Sequence, residues 1–193
     1  MNKLSKFGLA ALIPLAIMTA ATQSIAQIKA YTLPEMTAEA DNVVYGQITG
    51  SRVFRIDHEV DGPELYFTVI TVQGNSLVDG SDLTVDVTFN GGFIDEDNGV
   101  YNSEAPAADD VKVGNNVALF YKWSDNLGGD VKGNGLLAMH GGIYRTVSGR
   151  TGPIILGRGN GYSIKSNISM ANLTKSITKL KGDREADKQE QKR

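Results

Sequence analysis

The residues best suited to chemistry in this chain stand together in one short run, Asp95-Glu96-Asp97-Asn98-Gly99. Carboxylates and an amide carbonyl beside a glycine suit a hard cation such as calcium, which takes about six to eight oxygen ligands around a tight turn. Asp95, Asp97 and Asn98 are therefore the candidate metal ligands, and calcium the one candidate cofactor. The spacing departs from an EF-hand loop. Gly99 stands fifth from Asp95 rather than sixth, and Pro106 holds the twelfth place, where a bidentate Glu would close the site. The competing reading is a solvated acidic loop. Asp79, Asp82, Asp125 and Asp130 lie in other polar segments and complete a site only if folding brings them in.

Other chemistries have less to work with. His58 and His140 are far apart in the chain, and a zinc site would need both of them plus carboxylates. There is no Cys and no G-x-S-x-G elbow. Ser176 and Lys179 match the S-x-x-K spacing of some serine acyl enzymes. The partner motifs are missing, however, and Ser176 lies beside the apolar face of a terminal helix. Gly157-Arg158-Gly159-Asn160-Gly161 has the composition of a phosphate loop without its spacing or its lysine, and reads as a surface turn. Tyr144, Arg145, Arg150 and Arg158 amount to a small basic-aromatic patch or to ordinary surface cations. The sequons at Asn167 and Asn172 are too short to carry weight. No catalytic residue is assigned.

The elements that would position these groups are mostly strands. Leu83, Val85, Val87 and Phe89 alternate with Thr84, Asp86 and Thr88, the period of a strand with one apolar face. Leu65 to Val72 carries large apolar groups on both parities, so that strand is expected to be covered on both faces. Gly74 and Gly80 are expected to bracket the polar connection between the two. Before them, Thr32 caps a short helix from Leu33, with Pro34 and Glu35 in its first turn. Strands follow over 42–48 and 51–56, then a Gly62-Pro63 turn. After Gly91-Gly92 a long acidic loop runs from Ile94 to Lys112, with Asp95, Glu96, Asp97, Glu104, Asp109 and Asp110 opposed only by Lys112. Further strands are expected at 117–121 and 154–156, and 136–139 is expected to pair with 143–147 across His140. Leu173, Ile177 and Leu180 mark one face of a helix starting near Ser169.

The ends read differently. Lys3 and Lys6, an apolar stretch from Leu9 to Ala21, and small residues at Ser24 and Ala26 make residues 1–26 an expected signal peptide. That leaves one domain over 27–181 and a charged, disordered tail over 182–193. Losing Lys3 and Lys6 takes the formal net charge from −3 to −5. Such a chain has no overall field to hold nucleic acid. No other segment is long and apolar enough to span a bilayer. Twenty-two glycines among short Val/Ile/Thr/Tyr runs indicate a β-rich domain with many turns.

The order of elements carries a resemblance. A short helix entering "ADNVVYGQI", a strand ending "VQGNSLVDG", a strand ending "NGG", then "VGNNVALFY" and a final helix resemble a group of uncharacterised secreted bacterial proteins. The layout is also similar to the OB-like barrel of netrin and metalloproteinase-inhibitor modules. Those modules are held by cysteines and the inhibitors act through an N-terminal Cys, which this chain lacks, so that chemistry is not carried over. The resemblance implies a mainly β, OB-like antiparallel barrel with a short N-terminal and a C-terminal helix; a β-sandwich is the alternative. The expected protein is an exported, periplasmic or extracellular, non-enzymatic binding module. Its ligand or partner in the envelope or outside would meet the loops 93–112 and 124–135. The alternatives are a calcium-stabilised envelope component and a metal-assisted hydrolase using loop carboxylates and His140.

Overall fold

The computed structural model describes residues 30–190. The expected signal peptide therefore lies outside the described residues, as do the last three residues of the expected tail. Among the described residues no helix is long and apolar enough to cross a membrane.

The chain enters through α1, Leu33–Glu39, which starts where its caps dictate. The Thr32 hydroxyl accepts from the Glu35 amide while the Glu35 carboxylate takes the Thr32 amide at 2.8 Å, a reciprocal capping box. The strand β1, Asn42–His58, follows without a break, so the two expected strands are one. A register shift at Thr49 bends it. The bend lets its first part pair with β6, Asn116–Ser124, while nearly its whole length pairs with β2, Gly62–Ser76.

β2 pairs antiparallel with β3, Asp82–Asn90. A two-residue hairpin, β4 (Gly92–Phe93) with β5 (Gly99–Val100), interrupts the expected long loop. β7, Gly133–Leu136, lies antiparallel to β6 and meets β3 in parallel at Thr88 and Gly135. The order β1-β2-β3-β7-β6 thus returns to β1 and closes a five-stranded OB-like barrel. The sandwich alternative does not hold. One closure is parallel, whereas the expectation was antiparallel throughout.

Two expectations about pairing need correction. Gly74 does not open a loop. It lies inside β2 opposite Gly46, where a Cβ on either glycine would run into the backbone of the other strand. The pair marks a close strand approach rather than a turn. Residues 136–139 also do not pair with 143–147. β8, Ile143–Gly149, lies along the same side of β6 as β7, so β7 and β8 form one interrupted strand. Residues 137–142 leave the line between them as an excursion ending in a 3-10 turn, and they carry His140. Ala138 and Met139 hold φ of +54° and +48° there, where non-glycine residues are uncommon.

β9, Gly152–Ile155, pairs with β8 and with β10, Ile168–Ser169. α2, Met170–Glu190, buries Leu173 and Ile177 as the periodicity required. It runs beyond Gly182, where charge patterning alone indicated a tail. Lys181 donates to the Ala40 carbonyl at 2.5 Å and Arg184 to that of Ala38, satisfying carbonyls at the end of α1.

The apolar residues divide into two layers. Val44, Ile48, Ile70, Val72, Val85, Val87, Phe89, Val117 and Leu119 fill the barrel. Their strand neighbours Val43, Ala118 and Phe120 point outward and meet Met36, Leu173 and Ile177 of the helices, with Tyr144. β2 is covered on both sides, as its composition required, with Tyr66 to Ile70 all buried.

Candidate functional site

The connection from β3 to β6 crosses one end of the barrel without forming a helix, and a cleft of about 530 Å³ opens beneath it. Its floor is the inner face of the barrel at Val53, Thr68 and Phe89. One wall is the β4–β5 hairpin with the segment 101–111. The other is His140, Arg158 and Tyr162.

Each wall is held by polar groups that leave apolar surface facing the cleft or solvent. The Asn102 amide donates to the Asn90 carbonyl at 3.1 Å, and its Oδ1 accepts from the Glu104 amide at 2.9 Å. Asn115 donates to the Asp109 carbonyl at 2.7 Å. These asparagines build turns through their own side chains, so a segment without regular secondary structure is still ordered. On the opposite wall the Arg158 guanidinium donates to the carbonyls of His140 (2.7 Å) and Ile143 (3.3 Å) and pairs with Asp110 at 3.3 Å. It lies 5.0 Å from the Tyr162 ring centroid. Arg145 approaches the same Asp110 at 3.8 Å. The His140 amide donates to the Glu104 carbonyl at 3.0 Å, and its Nδ1 lies 3.3 Å from the Tyr162 hydroxyl. His140 and Tyr162 also border a smaller cavity of about 240 Å³ beside Tyr31 and Met36.

The rim is unusually apolar for exposed surface. Tyr101 is 80% exposed, Phe93 54%, Ile94 51% and Val100 43%, all on or beside one hairpin. Apolar residues scattered singly over a surface need no explanation, but a contiguous group around a cleft does.

Asp95, Asp97 and Asn98 form the turn of that hairpin. Asp95 Oδ1 accepts from the Asp97 amide (3.0 Å) and the Asn98 amide (2.8 Å), and the Asn98 side chain donates to both Asp95 oxygens at 2.7 and 2.9 Å. These bonds, the Asn98 side chain's first, lower the Asp95 pKa below the usual carboxylate range. The Asp95 oxygens are therefore engaged in shaping the turn. Among the described residues, no three His, Asp or Glu side chains converge as metal ligands would.

His58 sits elsewhere, at the tip of the β1–β2 hairpin. Its Nδ1 accepts from the amides of Val60 (3.3 Å) and Asp61 (3.1 Å), so the proton belongs on Nε2, which donates to Asp130 at 3.2 Å. Asp61 in turn accepts from the Gly129 amide at 2.7 Å. Both ring nitrogens are engaged, and the 124–132 loop is clasped to the hairpin tip. The two histidines occupy different sites.

The basic-aromatic patch does not assemble. Tyr144 is 1% exposed, its hydroxyl accepting from the Ile164 amide at 3.3 Å, and burial raises its pKa. Arg150 lies at the β8–β9 turn, away from Arg158. The sequence leads to an expected ligand at the loops 93–112 and 124–135; the cleft lies at the first of them, and its Phe93, Val100, Tyr101 and Tyr162 are not singled out by sequence. The available signal was Phe93 and Val100 flanking a polar turn, the pattern of a short hairpin with an apolar side. No protein-family model, curated protein or solved structure matches the chain.

Proposed function

We propose that this protein is an exported, non-enzymatic binding module that receives an apolar group of its ligand in the barrel-end cleft. On this reading it belongs with the secreted bacterial proteins whose layout its sequence resembles. The observation that carries the reading is the exposed group Phe93, Val100 and Tyr101 lining a cleft of about 530 Å³, with Ile94 exposed next to Phe93. A volume within the usual range for small-molecule sites, at the mouth of a barrel, with a few polar groups converging on one wall, is what a binding site requires. Arg158 is held by two carbonyls and a carboxylate, and both His58 ring nitrogens are bonded. These engagements favour recognition over chemistry at either place.

The test is a fluorescence titration of the full chain with 2-naphthol, a neutral apolar probe. Saturable binding is expected, weakened by roughly tenfold in Tyr101→Ser, whose loss removes a large aromatic contact at little cost in stability. Absence of saturable binding by the unsubstituted chain would overturn the reading.

A further inference from the structure

The cleft is apolar, but its borders are not neutral. Glu96 and Asp97 lie at the tip of the hairpin that carries Phe93 and Val100. Glu104 and Asp109 interrupt the cleft-lining segment 101–111. Among the described residues none of these four side chains pairs with a cation. The nearby cations are already committed, since Arg158 and Arg145 both face Asp110. Lys112 is the one basic residue in 94–112.

Elsewhere some acids are matched, whereas among the described residues Asp41, Glu59, Asp79, Asp82 and Asp125 also lack a cation. Asp57 and Glu64 share Arg55, Asp86 pairs with Arg52, and Glu39 with Lys122. At the cleft, the uncompensated Glu96, Asp97, Glu104 and Asp109 border the same surface that exposes the apolar group. An apolar surface with a rim of one sign selects a partner of the opposite sign. Charge at the rim steers encounter and rejects like-charged competitors, while the apolar centre supplies most of the affinity.

From this we infer that the occupant of the cleft is a cationic, amphipathic peptide segment: an apolar side chain seated over Phe89 and against Tyr101, flanked by Lys or Arg meeting Glu96, Asp97, Glu104 and Asp109. The inference rests on the cleft being the binding site, and it adds the charge class of the ligand. An anionic or lipid-headgroup partner would meet the same carboxylates unfavourably.

The test uses the full chain and two labelled peptides, Lys-Phe-Lys-Leu-Lys and Glu-Phe-Glu-Leu-Glu, both blocked at their ends, with 2-naphthol as competitor. The lysine peptide is expected to bind, to displace 2-naphthol, and to weaken as salt is raised. The combined variant Glu96→Gln, Asp97→Asn, Glu104→Gln, Asp109→Asn should bind it roughly tenfold or more weakly, because several rim pairs are lost together. The same variant should keep its 2-naphthol affinity and its melting temperature, since Glu96, Asp97 and Asp109 are exposed and the half-buried Glu104 makes no side-chain hydrogen bond or ion pair among the described residues. Equal affinity for the two peptides, or an unchanged lysine-peptide affinity in the variant, would overturn the charge class. If 2-naphthol still bound, the cleft reading would survive that result. If neither peptide nor 2-naphthol bound the unsubstituted chain, both readings would fall.

Discussion

Two loop regions of this barrel are built from similar residues and end in opposite conditions. In the first, the β1–β2 hairpin tip and the 124–132 loop satisfy each other. Asp61 takes the Gly129 amide, His58 bridges to Asp130, and Arg55 pairs with both Asp57 and Glu64. In the second, below the 91–115 connection, the backbone is equally well held, but the outward side chains are left over. Phe93, Ile94, Val100 and Tyr101 face solvent, and Glu96, Asp97, Glu104 and Asp109 lack cations among the described residues, Asp110 alone being paired. The lesson concerns where a partner belongs. Loops of an OB-like barrel often bind ligands, yet here one loop pair has used its polar groups on itself. The other region combines a group of exposed apolar side chains with a cleft that can receive a partner.

The largest effect that would sharpen this contrast lies at the floor of the open region. Phe89 is 4% exposed and belongs to the barrel core while lining the cleft. Phe89→Ala should cost about 3–5 kcal/mol by urea unfolding. A loss no greater than that of a surface change would mean that the cleft floor is not core.

Next in size is the clasp. Asp61→Ala removes a charged acceptor from the Gly129 amide and should cost about 1 kcal/mol, the partial exposure of the pair keeping it small. It should leave 2-naphthol binding unchanged. A change in binding would show that the two regions are not independent.

Acid stability should separate the two regions more finely. The Glu64 amide and then Arg55 lower the pKa of Asp57, and Asn98 with the Asp97 amide lowers that of Asp95. A carboxylate with a depressed folded pKa binds its proton less readily folded than unfolded. Its contribution is therefore complete above the ordinary 3.8 and fades as pH falls below that value toward the depressed one. Asp57→Asn and Asp95→Asn should each flatten the loss of stability between pH 5 and pH 3. At 1 M salt, where the screening length is about 3 Å, the Asp57 difference should shrink and the Asp95 difference persist, because only the first involves a cation. An identical salt response in the two variants would contradict that assignment.

The smallest expected effect is that of calcium. Because Asp95 already accepts four hydrogen bonds, millimolar calcium should shift the melting temperature by less than about 1 °C. A graded rise with concentration, abolished by chelator, would restore Asp95, Asp97 and Asn98 as ligands.

Much of the scaffold was legible because its signals are local. The Thr32–Glu35 capping box, the alternation at Leu83–Phe89 and the Leu173/Ile177 spacing each announce an element within one window. Other features depend on contacts that no window contains. Gly74 reads as a turn residue until Gly46 is known to lie opposite it. The 137–142 excursion places Ala138 and Met139 in a left-handed conformation that their residue types do not announce. Residues after Gly182 have no apolar face, but good helix formers and the reach of Arg184 to α1 carry the helix on. The cleft shows the same division. Its loop at 93–112 was visible as composition, whereas Arg158 and Tyr162 reach it only through tertiary packing. The exposed apolar group is masked in the sequence by its acidic neighbours, which have the composition of a metal loop.

The most direct test of the central claim, that the ligand enters at the open region and not at the clasp, is an amide chemical-shift map of the full chain titrated with 2-naphthol. Saturable shifts confined to Phe93, residues 100–108, His140 and Tyr162 are the predicted result. Shifts centred on His58–Asp61 and residues 124–132, with the cleft silent, would contradict it.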